Sequence, residues 1–322
     1  MTAIPERVLL SQRVDEFLAY CGARNLSPNT IRAYRNDLGD FIALSGGNEI
    51  AVDGAISRKL VRQFVVKLHD GGMKQVSVRR KLAAVKSFCK WLEGEGLLQA
   101  SLIDSIAGPP RLREKLPDVP SEDDVKKLLD GEIRSASPER DRLVLELLYG
   151  SGLRVAELVG IDLDDFREED VLIVRGKGRK ERFVIVGGYA QAAIKVWLPV
   201  RTELLAKFKI ETPALLFSVG PRRSAERLEV RSVGRIIKEV AESKGLDPAK
   251  WHPHLLRHAC GTHMHDHDAP LQGVATFLGH ARLSTAQIYT RVSVGRMMHT
   301  YNRAHPHASD SLVPNQAGLS SK

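Results

Sequence analysis

Arg154, Lys177, His254, Arg257, His280 and Tyr289 carry, between them, the groups needed to cut a phosphodiester without a metal. Such a cut needs the charge of the phosphate neutralised, best by arginines, whose planar forks match its oxygens. It needs a nucleophile to attack phosphorus and an acid to protonate the departing oxygen. Donors aimed at charge that grows in the transition state contribute most, of order a few kcal/mol each. Taken singly, each residue has a plainer reading: a surface charge, a helix-surface histidine, or a half-buried tyrosine beside Ile288. Their order along the chain is more specific than any one of them.

Local elements must hold these groups in place. Arg154 follows Gly150-Ser151-Gly152 and falls in the first turn of a short helix, Leu153–Gly160, where backbone amides and the dipole favour an anion. The β-branched runs Val171–Arg175 and Arg182–Val186 predict a hairpin, whose glycine-bearing turn carries Lys177, Arg179 and Lys180. Pro253 begins a helix on which His254 and Arg257, three apart, share a face. His280 ends Leu278-Gly279-His280, and Tyr289 lies in Gln287-Ile288-Tyr289-Thr290. A helix over Arg140–Tyr149 buries Leu143, Val144, Leu147 and Leu148 behind them.

The first third of the chain predicts helices. Ser27-Pro28 supplies an N-cap and an N1 proline, and Thr30–Leu44 follows with Ile31, Tyr34, Leu38, Phe41 and Ile42 on one face. Further helices run over Ser57–His69 and Ser77–Leu92. The last has an apolar face and a basic one holding Arg79, Arg80, Lys81, Lys86 and Lys90, with no acidic partner before Glu93. That face suits either solvent or a row of phosphates. Gly108-Pro109-Pro110, Pro117 and Pro120 then interrupt any helix, and residues 108–120 are taken as a stiff basic linker. Ser121 opens the second domain as a helix cap.

With 322 residues, two domains are expected. A net charge of +9 points to a polyanion, and no apolar run reaches the roughly 18 residues of a membrane span. The first eleven residues do not form a secretory signal. Aromatics are only 6%, so the core is expected to be mainly Leu, Val, Ile and Ala. Cys21, Cys89 and Cys260, odd in number and far apart, read as buried free thiols of a reducing compartment, the cytoplasm. Seven histidines crowd between His252 and His280, but Leu255 stands where a zinc-protease helix needs glutamate and no CxxC accompanies them. Neither a metal nor another cofactor is expected.

Five segments resemble the catalytic boxes of the tyrosine recombinases of the phage integrase family, most closely the bacterial Xer branch. They are Tyr149-Gly-Ser-Gly-Leu-Arg154-Val-Ala-Glu-Leu158, Gly176-Lys177-Gly178, His254-Leu-Leu-Arg257-His258, Leu278-Gly279-His280 and Ser284-Thr-Ala-Gln-Ile-Tyr289-Thr290. Leu26-Ser-Pro-Asn-Thr-Ile-Arg-Ala-Tyr34 resembles the start of that family's core-binding domain. The likeness implies that Arg154 and Arg257 clamp the scissile phosphate and His280 adds a third donor. Lys177 protonates the leaving 5′ oxygen, His254 assists, and Tyr289 attacks to form a 3′-phosphotyrosyl link, with His258 packing behind. It also implies a site-specific recombinase with chemistry like that of type IB topoisomerases, serving chromosome or plasmid dimer resolution or integration. The alternative is a catalytically silent DNA-binding accessory protein on the same scaffold.

The expected fold is mainly α with a small β-hairpin or sheet. A helical, SAM-like core-binding domain (1–107) and a catalytic domain (121–308) form a C-shaped clamp on double-stranded DNA, followed by a disordered tail (309–322). Arg79, Arg80, Lys86, Lys90, Arg179 and Lys180 are the expected DNA contacts. The resemblance implies a homo-tetramer on DNA, or a hetero-tetramer with a paralogous recombinase, with a DNA translocase as a further partner. It also implies that residues from about Val294 to Ala308 dock on the neighbouring subunit, with fraying as the alternative; the polar tail after His305 is expected to be frayed and the DNA-free protein mainly a monomer. Two places depart from the family pattern: Ala259, Cys260 and Gly261 replace its usual Ser, Phe and Ala, and Asp268 sits at a turn where glycine is common.

Overall fold

The computed structural model describes residues 9–45, 56–98, 119–168, 170–176, 181–219, 226–279 and 291–309. The chain divides into two compact units, Met1–Lys115 and Leu116–Lys322. Most of the expected linker, residues 108–118, and the tail beyond residue 309 lie outside the described residues.

Four described helices build the first unit: α1 (Leu10–Ala23), α2 (Pro28–Ser45), α3 (Arg58–Asp70) and α4 (Gln75–Gly94). Short polar side chains start two of them, because a hydroxyl satisfies an amide that the helix cannot. Ser27 Oγ accepts from the Thr30 amide at 3.2 Å, and Ser57 Oγ from that of Leu60 at 3.2 Å. The core is mainly Leu, Val and Ile, as expected, with four phenylalanines set among them. Phe17, Phe41, Phe64 and Phe88 are all fully buried, with Phe17 and Phe88 at 5.4 Å and Phe41 edge-on to Phe64 at 5.2 Å. Burial of each large ring contributes roughly 1.5–3 kcal/mol.

The basic face of α4 is also corrected. Its acidic partners come from α2, not from its own sequence. Lys81 is buried and donates to Asp37 at 3.0 Å and to Asp40 at 2.6 Å, while Arg80 pairs with the same buried Asp37. Burial alone would lower the Lys81 pKa, but its bonds to Asp40 and Asp37 outweigh it and hold the ammonium charged. Lys81 is thus a structural charge. Arg79, Arg80 and Lys90 remain exposed and Lys86 half-buried.

The second unit is built on α6 (Pro138–Tyr149), which is buried on nearly every side and packs on α8 (Gly188–Phe208) and α10 (Pro253–Asp266). Around it lie α5 (Glu122–Leu129), α7 (Val155–Val159), α9 (Val230–Ser243), α11 (Leu271–Leu278), α12 (Arg291–Ala304) and α13 (Pro306–Ser309). The hairpin is present as β2 (Val171–Arg175) and β3 (Glu181–Ile185), antiparallel from Val171↔Ile185 to Arg175↔Glu181. A third strand, β1 (Phe166–Glu168), pairs antiparallel with β2 and was not foreseen. At three residues, with a charged pair after Phe166, it carries too little alternation to read. Among the described residues, no helix is long and apolar enough to cross a membrane.

The end of the chain differs from expectation. The segment after His305 is not frayed through Ser309: residues 306–309 form α13, and Met297, Tyr301, Ala304 and His305 are buried in their own domain. Tyr301 lies over Gly187, where any Cβ would collide with its ring. The small, apolar stripe of α12 is what drives this packing.

Candidate active site

Three glycines let the site close. Gly152 takes φ +57°, and a Cβ there would stand 2.7 Å from Leu278 Cδ2. Gly261, on α10, faces the same side chain, with a would-be Cβ 2.9 Å from Leu278 Cδ1. By helix propensity Gly261 costs about 1 kcal/mol against alanine. In the fold it lets α11 lie close on α10, which propensity does not register. Gly279 ends α11 with φ +65°, a conformation in which a side chain is strained. Asp268, with φ +62°, takes the left-handed geometry its short polar side chain tolerates.

That packing brings Arg154 and Arg257 to one turn. Arg257, buried on α10, donates through Nη1 to the Gly152 carbonyl and through Nη2 to that of Leu278. Arg154 Nη2 donates to the Gly279 carbonyl at 3.0 Å. Both arginines therefore hold the backbone immediately before His280. The placement of Arg154 is a correction. It caps α7 rather than lying in its first turn, and Glu157 Oε2 already accepts its amide at 2.8 Å. An anion would be met by side-chain guanidinium groups, not by a free helix end.

Two residues that sequence reasoning did not single out complete the arrangement. Glu157 is buried; its Oε1 accepts from Arg154 Nη1 at 2.8 Å, and its two oxygens accept from Arg182 Nε at 3.3 Å and Nη2 at 3.0 Å. Burial would raise the Glu157 pKa, but the bonds from Arg182 and Arg154 prevail and hold it below the ordinary carboxylate range. Arg182, on β3, also donates to the Phe277 carbonyl at 3.1 Å. A signal existed for each. Glu157 lies three residues after Arg154 on one helix face, and Arg182 alternates with Val184 on the inward face of the strand.

The cluster thus holds three guanidinium groups, Arg154, Arg182 and Arg257, against one carboxylate, Glu157. Burial, then Arg154 and Arg182, push the Arg257 pKa down to about 10. It stays protonated at neutral pH, in a cluster short of negative charge. The side chain of Arg154 is 43% exposed, so it is the guanidinium of the three that solvent reaches.

His254 is exposed one turn before Arg257 on α10, and His258, the residue after Arg257 and one turn beyond His254, is half-buried, its pKa lowered by burial and by His254. The other histidines serve the fold. Pro120's carbonyl can only accept, so His263 Nε2 donates to it at 2.9 Å and Nδ1 takes the Tyr149 hydroxyl at 3.0 Å. His265 and His267 donate to the carbonyls of Ala269 and His263. His252 caps α10 by accepting from the Leu255 amide. Among the described residues, no three His, Cys, Asp or Glu side chains converge on a metal position. The three cysteines are free and buried.

Lys177, His280, Tyr289, Arg179 and Lys180 lie outside the described residues. The chain enters and leaves the Lys177 loop at the paired residues Arg175 and Glu181, and α12 begins two residues after Tyr289.

Comparison with known proteins finds one family in both units of the chain. The phage integrase family model matches residues 119–296, and the phage integrase N-terminal SAM-like domain matches residues 14–96. The tyrosine recombinase XerC of Salmonella typhi is 37% identical over 306 residues, covering 94% of this chain and 98% of its own. That of Psychromonas ingrahamii is 36% identical over 301 residues, covering 93% and 98%. A lambda integrase dimer bound to a COC′ core site has a similar fold, with TM-score 0.64 and 17% identity over 88% of this chain and 100% of its own. XerH bound to a palindromic difH substrate, in a post-cleavage complex, has TM-score 0.62 and 20% identity over 91% and 84%.

Proposed function

The chain belongs to the phage integrase family, and from that premise we propose that it is a site-specific tyrosine recombinase that cleaves and rejoins DNA. The observation that carries this reading is the convergence of Arg154 and Arg257 on the carbonyls of residues 278 and 279, one residue before His280. In the proposed reaction the two guanidinium groups neutralise the scissile phosphate, with His280 as a third donor. The Tyr289 oxygen attacks phosphorus as the bond to the 5′ oxygen breaks. Lys177 protonates that oxygen, and His254 assists as an acid/base or hydrogen-bonding group. The 3′-phosphotyrosyl link conserves the bond energy, so a free 5′ hydroxyl can reverse the step on a new partner without ATP.

Arg79, Arg80, Lys86, Lys90, Arg179 and Lys180 are proposed DNA contacts, mostly to phosphates, which give affinity and register rather than sequence. Exchange between two duplexes needs four cut strands, hence a tetramer on DNA, of this chain alone or with a paralogue. A cytoplasmic setting, chromosome or plasmid dimer resolution, and control by a DNA translocase belong to the same proposal.

The test is a suicide-substrate trap. Nicked duplexes built on a sequence captured from a random pool are mixed with the protein in EDTA and resolved on a denaturing gel. A covalent adduct that Tyr289→Phe abolishes is the expected result. Tight binding without an adduct would favour the silent accessory protein, and an adduct that survives Tyr289→Phe would mean another nucleophile.

A further inference from the structure

Arg182 has no task in the proposed chemistry, yet it stands where three parts of the site meet. Its fork holds both oxygens of Glu157, and its Nη1 holds the Phe277 carbonyl near the end of α11. Its stem fills the space beside Gly279: a Cβ there would stand 2.6 Å from Arg182 Cδ and 2.8 Å from Nε. Glu157 in turn grips Arg154 twice, at its amide and at Nη1. Arg182 also lies five residues beyond Lys177, on the strand that leaves the basic turn.

Stability alone does not account for such a residue. A buried ion pair is often no more stabilising than well-packed apolar side chains of the same volume. What a bidentate fork adds is orientation. With Arg154 alone, Glu157 would have one partner, which is itself 43% exposed and free to turn toward solvent. With Arg182 in place, the carboxylate is fixed at both oxygens and the Arg154 guanidinium is held beside the Gly279 carbonyl.

We infer that Arg182 is a positioning residue for strand cleavage: through Glu157 and the Phe277 carbonyl it aligns Arg154 and the turn before His280 on one phosphate. This rests on the recombinase reading. The test compares wild type, Arg182→Gln, Arg182→Lys, Glu157→Gln and the Gln–Gln double variant. Single-turnover adduct formation, DNA affinity and thermal midpoint are measured on two nicked duplexes. One carries a normal scissile phosphodiester and the other a neutral methylphosphonate.

Arg182→Gln is expected to slow cleavage of the normal duplex about 10- to 100-fold, with DNA affinity unchanged. The loss should be smaller on the neutral duplex, which needs less aligned positive charge. Arg182→Lys should recover part of the rate, and the double variant should be no slower than the slower single variant. Equal losses on both duplexes, or losses that track the folded fraction, would reduce Arg182 to a fold-stabilising pair and overturn the inference. If Arg182→Gln does not fold, the two-duplex ratio of Arg182→Lys decides in the same way. A wild-type rate in the variants overturns the inference and leaves the recombinase reading standing. No adduct from wild type overturns both.

Discussion

Arg154 Nη2 donates to the backbone carbonyl of Gly279 at 3.0 Å, a contact between residues 125 positions apart that ties one expected phosphate ligand to the residue preceding the next in sequence. Loss of Arg154 should therefore cost more than one charge. Arg154→Ala is expected to slow adduct formation by about 10²- to 10³-fold, the effect of deleting one transition-state donor. Arg154→Lys, which keeps a charge but not the fork, should fall between. Single-turnover cleavage at saturating protein reads this, and a wild-type rate for Arg154→Ala would remove the residue from the mechanism.

The excess of guanidinium over carboxylate predicts an anion site in the free protein. Inorganic sulfate at about ten times its dissociation constant should add about 1.4 kcal/mol, a rise of roughly 3–6 °C in the midpoint of the second unit. The rise should be absent in an Arg154→Ala/Arg257→Ala pair and insensitive to Lys90→Ala in the other unit. Scanning calorimetry in sulfate against chloride at equal ionic strength measures it. Equal gains in all three proteins would make the effect a general salt effect.

Gly152 should not accept alanine. Its φ of +57° costs a side chain about 1–2 kcal/mol, and pressing Leu278 aside costs about 1–3 kcal/mol more. Gly152→Ala is expected to lower the stability of the second unit by about 2–5 kcal/mol in urea unfolding. A loss below 1 kcal/mol would show that Leu278 yields freely.

His305 makes the fold acid-sensitive. It is buried between Tyr149, whose carbonyl accepts from Nε2 at 3.3 Å, and Cys260 Sγ at 3.6 Å. The Tyr301 ring stacks on it at 4.7 Å, and the His307 amide donates to Nδ1 at 3.0 Å. Burial, then the neighbouring His307, push its pKa from 6.5 down to about 3. Below pH 6.5 the unfolded chain takes a proton that the folded chain refuses, so stability is present above 6.5 and falls toward pH 3, by up to about 1.4 kcal/mol per pH unit. Urea midpoints between pH 7 and 4.5 should show a shallower slope for His305→Gln, and an unchanged slope would sink the assignment.

Met297, Tyr301, Ala304 and His305 are buried within their own domain. These four side chains are therefore taken up by their own domain and are not offered to a neighbour. Sedimentation without DNA should give a monomer, and a stable DNA-free tetramer would contradict this.

Much of this molecule is determined by sequence alone. Hydroxyl caps at Ser27 and Ser121, the proline opening α10, the glycine breaks and the β-branched runs of β2 and β3 act within a few residues, so they are legible along the chain. The spaced boxes name Arg154 and Arg257 for the same reason: each sits in a local motif. Where reading failed, the cause lay elsewhere in the chain. Lys81 looked like one of a row of solvent-facing cations because Asp37 and Asp40, its partners, are some forty residues away. Which phenylalanines meet, Phe17 with Phe88 and Phe41 with Phe64, likewise depends on helices far apart in the chain.

Tertiary structure alone decided the inner part of the site. That Gly152, Gly261 and Gly279 all make room around Leu278 and Arg182 follows from how closely α10, α11 and the turn after α6 approach. Whether Arg182 and Glu157 are surface charges or the brace behind Arg154 depends on burial, which a strand pattern only hints at. An ion pair at a surface is worth little, and the same pair buried fixes geometry, because only there is water unable to take either partner's place.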